Sequence, residues 1–193
     1  MANTSRISGF RPVKHSTGAP YNGQANLYYF PSTDGTAAYV GDVVKLAGSS
    51  DTDGNAPTVT LASAGDAVCG VIVGFLPDPT NLNVAGQGRA ASTARYVWVA
   101  DAPDTVYEVE ASNGTPAVTD VGLNINHAVG TPSATFATSG AYIDFGTEAT
   151  TATLTFKVLS FVARPDNAPG AAAKMLVKIN NHQFASSTGT AGV

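Results

Sequence analysis

Runs of alternating apolar and polar residues recur along the chain and predict short β-strands. The clearest run is Thr151–Phe161, in which apolar side chains take every second position as far as Val158. Leu159 and Phe161 then break the alternation, which predicts a bulge or a stretch covered on both faces. A second run, Lys174–Ile179, alternates in the same way. Because side chains at every second position of a strand share one face, each run predicts a strand with one buried face.

Further strands are predicted where an apolar run is bounded by turns rich in Gly, Asp or Ser. In Thr105–Ala111, Tyr107 and Val109 fall on one face and the two glutamates on the other. The one segment that favours a helix, Pro169–Lys174, is too short for a stable one. Short strands at this spacing predict a single all-β domain, an antiparallel sandwich of jelly-roll type or a small barrel. The runs are Val40–Ala47, Pro57–Ala62, Ala67–Leu76, Arg95–Ala100, Thr105–Ala111 and Pro116–Val121.

The first 37 residues differ from the rest, because Gly, Pro, Ser and Asn are interspersed with aromatic residues and no period is visible. A disordered terminus rarely has so many aromatic side chains, so we expect residues 1–37 to form an extended N-terminal arm that packs on a surface. That surface is either the chain's own core or a neighbouring subunit, and the sequence favours neither. We expect the domain to cover residues 38–185, and the small residues of 186–193 to form a flexible C-terminal tail.

Composition supports the β assignment and narrows the function. Val, Ile and Thr make up 47 of the 193 residues, whereas Leu, Met, Glu, Lys and Gln make up 22, a balance typical of strands. Charged residues are 12% of the chain and the net charge is −4, so we expect no partner among nucleic acids or membranes. The first residues lack the apolar core of a signal peptide, which predicts that the protein is made and kept in the cytoplasm.

Motifs that would indicate catalysis or cofactor binding are weak. Gly86–Ala91 (GQGRAA) has the spacing of a dinucleotide-binding loop, but a strand is predicted from Arg95 and leaves no room for the required helix. The three histidines, His15, His127 and His182, are not paired at the spacing of metal ligands. We therefore expect the protein not to be an enzyme and to use no cofactor.

Two further features have a simple structural explanation. Asp51, Asp53 and Asn55 alternate as calcium ligands do, but a tight turn between strands uses the same residues, so ion binding there is left open. The single cysteine, Cys69, lies inside the apolar run Ala67–Leu76. A buried, inert thiol is expected at such a position.

Arg95–Ala100 (RYVWVA) is the strongest candidate for a contact surface. Tyr96 and Trp98 fall on one face of this predicted strand, and Val97 and Val99 fall on the other. Both faces are apolar enough to require cover. A central strand of a sandwich explains the pattern. The alternative is a subunit interface on one face, because Tyr and Trp are frequent interface anchors.

The strand and turn sequences resemble those of a known family. Gly41–Leu46 (GDVVKL) and Ala64–Phe75 (AGDAVCGVIVGF) are similar to segments of the small head-decoration, or cement, proteins of tailed bacteriophages. Arg95–Ala111 and Thr151–Phe184 also resemble such proteins. The resemblance covers roughly residues 38–184 and involves no catalytic motif.

This resemblance implies a structural protein of the virion on the outer surface of the capsid, made in the cytoplasm of the bacterial host. Such proteins bridge neighbouring major capsid subunits and stabilise the shell against the pressure of the packaged DNA. The expected partners are the major capsid protein and further copies of this chain, as a dimer or a trimer. The side chains expected to contact the capsid or another subunit are Phe10, Arg11, Tyr21, Tyr28, Tyr29, Phe30, Tyr96 and Trp98.

Two other functions are compatible with the sequence. A carbohydrate- or receptor-binding β module of a phage tail or fibre would use Trp98, or the pair Tyr28 and Tyr29, as a stacking platform. An enzyme built on a β-barrel has the weakest support, because no acid/base pair or metal-ligand set is visible in the sequence.

Overall fold

The regular structure is almost entirely β-strand, as the sequence predicts. The structure is a computed structural model that describes residues 3–78, 86, 88–133, 135–185, 188–189 and 191–192. One short 3₁₀ helix, Val118–Asp120, accompanies the strands of this described part. The strands are β1 Arg11–His15, β2 Asn26–Phe30, β3 Ala38–Tyr39, β4 Val43–Ser50, β5 Pro57–Leu61, β6 Gly70–Phe75, β7 Gly88–Arg89, β8 Arg95–Ala100, β9 Thr105–Ser112, β10 Asn124–Ala128, β11 Tyr142–Ala149, β12 Phe156–Phe161 and β13 Lys174–Ile179.

Five strands from the first half of the chain form a closed barrel, in the order β2-β5-β4-β6-β8. Apart from the parallel contact between β2 and β5, its pairs are antiparallel. We call it the inserted barrel. Apolar side chains at alternate positions fill its interior, including Phe30, Val44, Val59, Ile72 and Val97, none of which is exposed.

Five strands from the second half form another ring, which we call the host barrel. The pairings run from β9 through β11, β10, β12 and β13 and back to β9. β1 joins this barrel from the other end of the chain by pairing with β9. The interior includes Tyr107, Ile125, Ile143, Phe156 and Met175, all fully buried.

The inserted barrel is nested within the sequence of the host barrel. β1 ends at His15 and β9 begins at Thr105, and these two residues are paired across the sheet. The backbone N–H of Ser16 donates to the carbonyl oxygen of Asp104 at 2.8 Å. The chain therefore leaves the host barrel and returns to it at neighbouring points.

The two barrels share part of their packing. Val43, Val71 and Ala100 belong to strands of the inserted barrel but are buried with the core of the host barrel. The hydroxyl of Tyr107 donates to the carbonyl oxygen of Ala100 at 2.9 Å. Burial of apolar surface between them makes the two barrels one packed unit.

The predicted N-terminal arm needs correction. β1 and β2 both lie within residues 1–37, and each is paired with strands of the same chain. β2 is one of the five strands that close the inserted barrel. The structure therefore shows no boundary between an arm and a domain at residue 38. Phe10, Tyr28 and Phe30 of this region are buried in the chain's own cores.

Several local predictions are confirmed and others are wrong. Arg95–Ala100 and Lys174–Ile179 are strands with the predicted limits, and the pairing of β12 shifts between Val158 and Ser160, where a bulge was expected. The strand predicted over Thr151–Phe161 begins only at Phe156. Pro116–Val121 is not a strand. Its centre is the 3₁₀ helix, where the carboxylate of Asp120 accepts the N–H of Ala117 at 2.8 Å and favours a turn.

The described residues of the predicted C-terminal tail contact the host barrel. The N–H of Gly192 donates to the carbonyl oxygen of Thr150 at 2.9 Å. Lys157 donates through Nζ to the carbonyl oxygen of Ala191 at 2.7 Å. Residues 186, 187, 190 and 193 of this predicted tail lie outside the described residues.

Candidate contact surface

The outer side of the inserted barrel has a row of aromatic and apolar side chains, which we call the aromatic face. It consists of Leu27 and Tyr29 on β2 and Tyr96 and Trp98 on β8. Leu27 is paired with Trp98 and Tyr29 with Tyr96 across the two strands. The tyrosine ring centroids are 5.1 Å apart. Cross-strand pairs of this kind hold the side chains in a fixed arrangement.

Alternation along β8 explains why this face is directed outward. Val97 and Val99 have no exposed surface and fill the barrel. Their neighbours Tyr96 and Trp98 must then point away from the interior, and Trp98 is 40% exposed. The sequence left two explanations for this strand: a central strand covered on both faces, or a subunit interface on one face. The first does not hold at Trp98, because this side chain is exposed.

Asp51 fixes the position of Tyr96. Its Oδ2 accepts the Tyr96 hydroxyl at 2.9 Å, and its Oδ1 accepts the N–H groups of Asn55 at 2.8 Å and Ala56 at 3.2 Å. Desolvation raises the pKa of Asp51, but these hydrogen bonds outweigh it and lower the pKa. Both carboxylate oxygens thus bind groups of the protein. Among the described residues, no three His, Cys, Asp or Glu side chains are grouped to hold a metal ion.

A shallow pocket of about 490 Å³ lies beside Trp98. Tyr21, Gly23 and Ala25 line it from the segment between β1 and β2, and Val73 lines it from β6. The Tyr21 hydroxyl donates to the carbonyl oxygen of Gln24 at 2.9 Å, which fixes this segment. The structure therefore brings together Tyr21, Tyr29, Tyr96 and Trp98 of the predicted contact residues.

Three predicted contact residues are not available on the surface. Phe10 is 2% exposed and stacks on Phe156 in the host core, with ring centroids 4.6 Å apart. Tyr28 and Phe30 point into the inserted barrel and are 3% and 0% exposed. Consecutive residues of a strand face opposite sides, so Tyr28 and Tyr29 cannot form one stacking platform.

Arg11 is exposed, but it lies on β1 of the host barrel and lines a different cleft. The two tyrosines that share a face are Tyr29 and Tyr96 on neighbouring strands, not the consecutive Tyr28 and Tyr29 that the sequence suggested.

Phe136 was missed by the sequence analysis and is the most exposed large apolar residue, at 73%, in the described part of the chain. It lies in a loop whose neck is formed by Gly130 and Gly140. A Cβ on Gly130 would lie 1.9 Å from the carbonyl oxygen of Gly140. The signal in the sequence is a lone aromatic residue among Thr, Ser and Ala between two glycines.

The remaining candidates are separate and buried. His127 and His182 are 1% and 2% exposed, and desolvation lowers the pKa of both. Burial raises the pKa of Cys69 to about 12, so its thiol stays protonated at neutral pH. In the Gly86–Ala91 segment, Gly88 and Arg89 form β7 and a turn follows, whereas Gln87 lies outside the described residues.

No protein-family model matches the chain, and no curated protein or solved structure matches it either. Across the residues whose structure is described, no helix has the length and apolar character needed to cross a membrane.

Proposed function

We propose that this protein is a structural component of a virion that decorates the outer surface of a tailed-phage capsid and bridges neighbouring major capsid subunits. The observation that supports this most is the aromatic face of Leu27, Tyr29, Tyr96 and Trp98 on a closed barrel. The resemblance of Gly41–Leu46 and Ala64–Phe75 to cement proteins points to the same role.

The aromatic face has the chemistry of a protein interface. Tyr and Trp bury large areas with little loss of side-chain entropy and frequently dominate the binding energy of an interface. The Tyr29 and Tyr96 rings are already held by β2, β8 and Asp51 before any partner binds. Such preorganisation lowers the entropic cost of association. Many weakly bound copies around a shell would add avidity.

A second function is favoured by one specific observation. The pocket beside Trp98 combines an exposed indole with Tyr21 on a shallow surface. This arrangement is also compatible with stacking against a sugar ring, as in a carbohydrate- or receptor-binding module of a phage tail or fibre. The platform would be Trp98 and Tyr21 rather than Tyr28 and Tyr29.

Co-sedimentation with capsids tests the first proposal. The capsids would be assembled from the major capsid protein of a tailed phage that encodes this chain. We expect the chain to pellet with them as a dimer or trimer. Trp98→Ser should weaken binding at least about tenfold, as for a central aromatic anchor. Val118→Ser is the matched control, because Val118 is 68% exposed and lies away from the aromatic face.

A glycan array separates the two functions. Binding of a glycan that is abolished by Trp98→Ser, with no co-sedimentation of the parent chain, would replace capsid decoration by carbohydrate binding. Co-sedimentation that is equally strong for the parent chain and for Trp98→Ser would remove the aromatic face from the proposal.

A further inference from the structure

A cleft of about 500 Å³ lies on the host barrel, between the N-terminal segment and the outer side of β9 and β13. Four cationic side chains line it: Arg6, Arg11, Arg164 and Lys174. The carboxylates of Glu108 and Asp166 also line it. The cleft is separate from the aromatic face, which lies on the inserted barrel.

The cationic residues are concentrated in this cleft. The chain has ten Lys and Arg residues and a net charge of −4. Two of the ten, Arg89 and Arg95, are buried in the inserted barrel. Half of the remaining eight line this one cleft. In this cleft four cations face two lining carboxylates, so the local charge is opposite in sign to the net charge of the chain.

Two of the four cations are not neutralised by the protein. Arg164 is 3.1 Å from a Glu108 oxygen and 3.8 Å from an Asp166 oxygen. Lys174 is 2.9 Å from Oε2 of Glu110. In contrast, the side chains of Arg6 and Arg11 have no ion pair within the described residues. Both guanidinium groups are exposed and free to bind an anion.

The wall of the cleft that holds Arg6 is fixed by hydrogen bonds to the rest of the chain. Glu110 is 2% exposed and accepts the Ser5 hydroxyl at 2.6 Å and the Arg6 N–H at 2.7 Å. The Asn3 amide donates to the carbonyl oxygens of Ala168 at 2.8 Å and Ala171 at 2.9 Å. The N-terminal segment is therefore anchored at two points, and the backbone that carries Arg6 is held in place before a ligand arrives.

We propose that this cleft binds an acidic peptide segment of a protein partner, with Arg6 and Arg11 each pairing with a carboxylate. The planar guanidinium matches a carboxylate through two parallel hydrogen bonds. The volume lies in the range of pockets for small ligands and short peptides. Within the described residues, only two of the lining cations lack an ion pair, which suits a short acidic segment better than the many phosphates of a nucleic acid. This inference does not depend on capsid decoration.

Fluorescence anisotropy with a fluorescein-labelled hexaglutamate peptide tests this proposal on the full chain. We expect saturable binding that weakens strongly when NaCl is raised from about 50 to about 300 mM. Arg6→Gln combined with Arg11→Gln should weaken binding at least about tenfold, consistent with charge-assisted pairs. Lys14→Gln is the matched control, because Lys14 is exposed, lies on the same strand as Arg11 and does not line the cleft. It also has no ion pair with any residue that the structure describes.

Single Arg11→Gln is a second variant for the case in which the double substitution disturbs the N-terminal segment. It should weaken binding while the circular dichroism spectrum and melting temperature stay unchanged. Three results would overturn the proposal: no saturable binding at low salt, an equal loss for Lys14→Gln, or tighter binding of a single-stranded oligonucleotide of the same charge.

Discussion

The guanidinium group of Arg89 lies 4.8 Å from the centroid of the Phe30 ring, inside one end of the inserted barrel. Arg89 is 1% exposed, and its side chain donates to the carbonyl oxygens of Pro31, Asp34, Thr36 and Thr93. One buried cation thus provides hydrogen-bond donors to four backbone carbonyl oxygens that would otherwise lack this partner. It ties the turn after β2 to the segment that follows β7.

Replacing Arg89 should destabilise the protein strongly. In Arg89→Met the four carbonyl oxygens lose their donor, and the Asp34 carboxylate, 3.7 Å from the guanidinium, loses its cation. Breaking a buried charge pair costs about 3 to 5 kcal/mol. We expect the free energy of unfolding, measured by urea denaturation, to fall by that order. Arg164→Met is the control, because its ion pairs are partly exposed and are worth less than about 1 kcal/mol. Equal losses in the two variants would show that Arg89 has no special structural role.

Asp42 should make stability depend on pH. It is 4% exposed, and desolvation raises its pKa from 3.8 to about 6, although the hydroxyl of Ser139 and the N–H of Tyr39 donate to it and act in the other direction. Because the folded pKa is raised, the stability gained from the protonated carboxyl is complete below pH 3.8. It is lost as the pH rises through about 6. The change amounts to roughly 2 to 3 kcal/mol.

Asp42→Asn isolates this contribution. The amide stays neutral, so the difference in unfolding free energy between the parent chain and Asp42→Asn should change between about pH 4 and pH 6 and be constant at higher pH. His127 titrates with the opposite sign, because desolvation lowers its pKa and stability falls as the pH drops below 6.5. Taking the difference removes this term, since it is present in both proteins. A pH-independent difference would contradict the assignment.

Phe10→Ala should lower the free energy of unfolding. Phe10 stacks on Phe156 and meets His127 edge-on, with centroids 6.3 Å apart. Removing a buried phenylalanine costs about 3 to 5 kcal/mol, which a thermal or urea melt would detect. Phe136→Ala is the matched control, because Phe136 is 73% exposed and such a change usually alters stability by less than about 0.5 kcal/mol. If Phe10→Ala left stability unchanged, Phe10 would belong to an arm after all.

Two glycines of β6 should respond differently to the same substitution. A Cβ on Gly70 would lie 2.3 Å from the carbonyl oxygen of Ala100, whereas the nearest atom to a Cβ on Gly74 is 3.8 Å away, on Trp98. Gly70→Ala therefore forces β6 and β8 apart and should cost at least about 1 to 3 kcal/mol. Gly74→Ala should be neutral or slightly stabilising. Comparing the two urea midpoints checks this, and equal midpoints would contradict the close approach at Gly70.

Trp98 is the single tryptophan and provides a direct optical measurement. At 40% exposure, its fluorescence should be quenched efficiently by iodide in the free protein. Binding to capsids through the aromatic face should reduce the quenching constant at least about twofold, because the indole becomes buried at the interface. An unchanged constant for protein that is fully bound would place the contact elsewhere.

Strands were predicted where apolar side chains alternate or follow one another between turn residues, but Thr151–Thr155 alternates clearly and is not a strand. β8 and β13 were predicted with their limits, and so was the bulge in β12. β10 was missed, because its buried positions include Asn124 and His127, which are 0% and 1% exposed and hide the alternation. In β2 both faces are apolar or aromatic, so the sequence contains no alternation to detect.

Only part of the contact surface was predicted. Trp98 and Tyr96 were assigned correctly to one face of an alternating strand. For Tyr28 and Phe30 the direction depends on the closure of β2 against β8 and β5, a long-range pairing that local sequence does not encode. Phe136 is exposed because of the tight approach of two glycines ten residues apart, which also appears only in three dimensions.

The pairing of His15 with Thr105 has a consequence for biosynthesis. A ribosome releases every strand of the inserted barrel before β9 emerges, whereas the host barrel has by then received only β1. We expect the inserted barrel to fold first during translation, with β1 waiting for a partner about 90 residues downstream. Because the chain leaves and returns at neighbouring points, evolution could exchange residues 16–104 for another module without reordering the strands of the host barrel. The new module would have to cover the host core that Val43, Val71 and Ala100 now share.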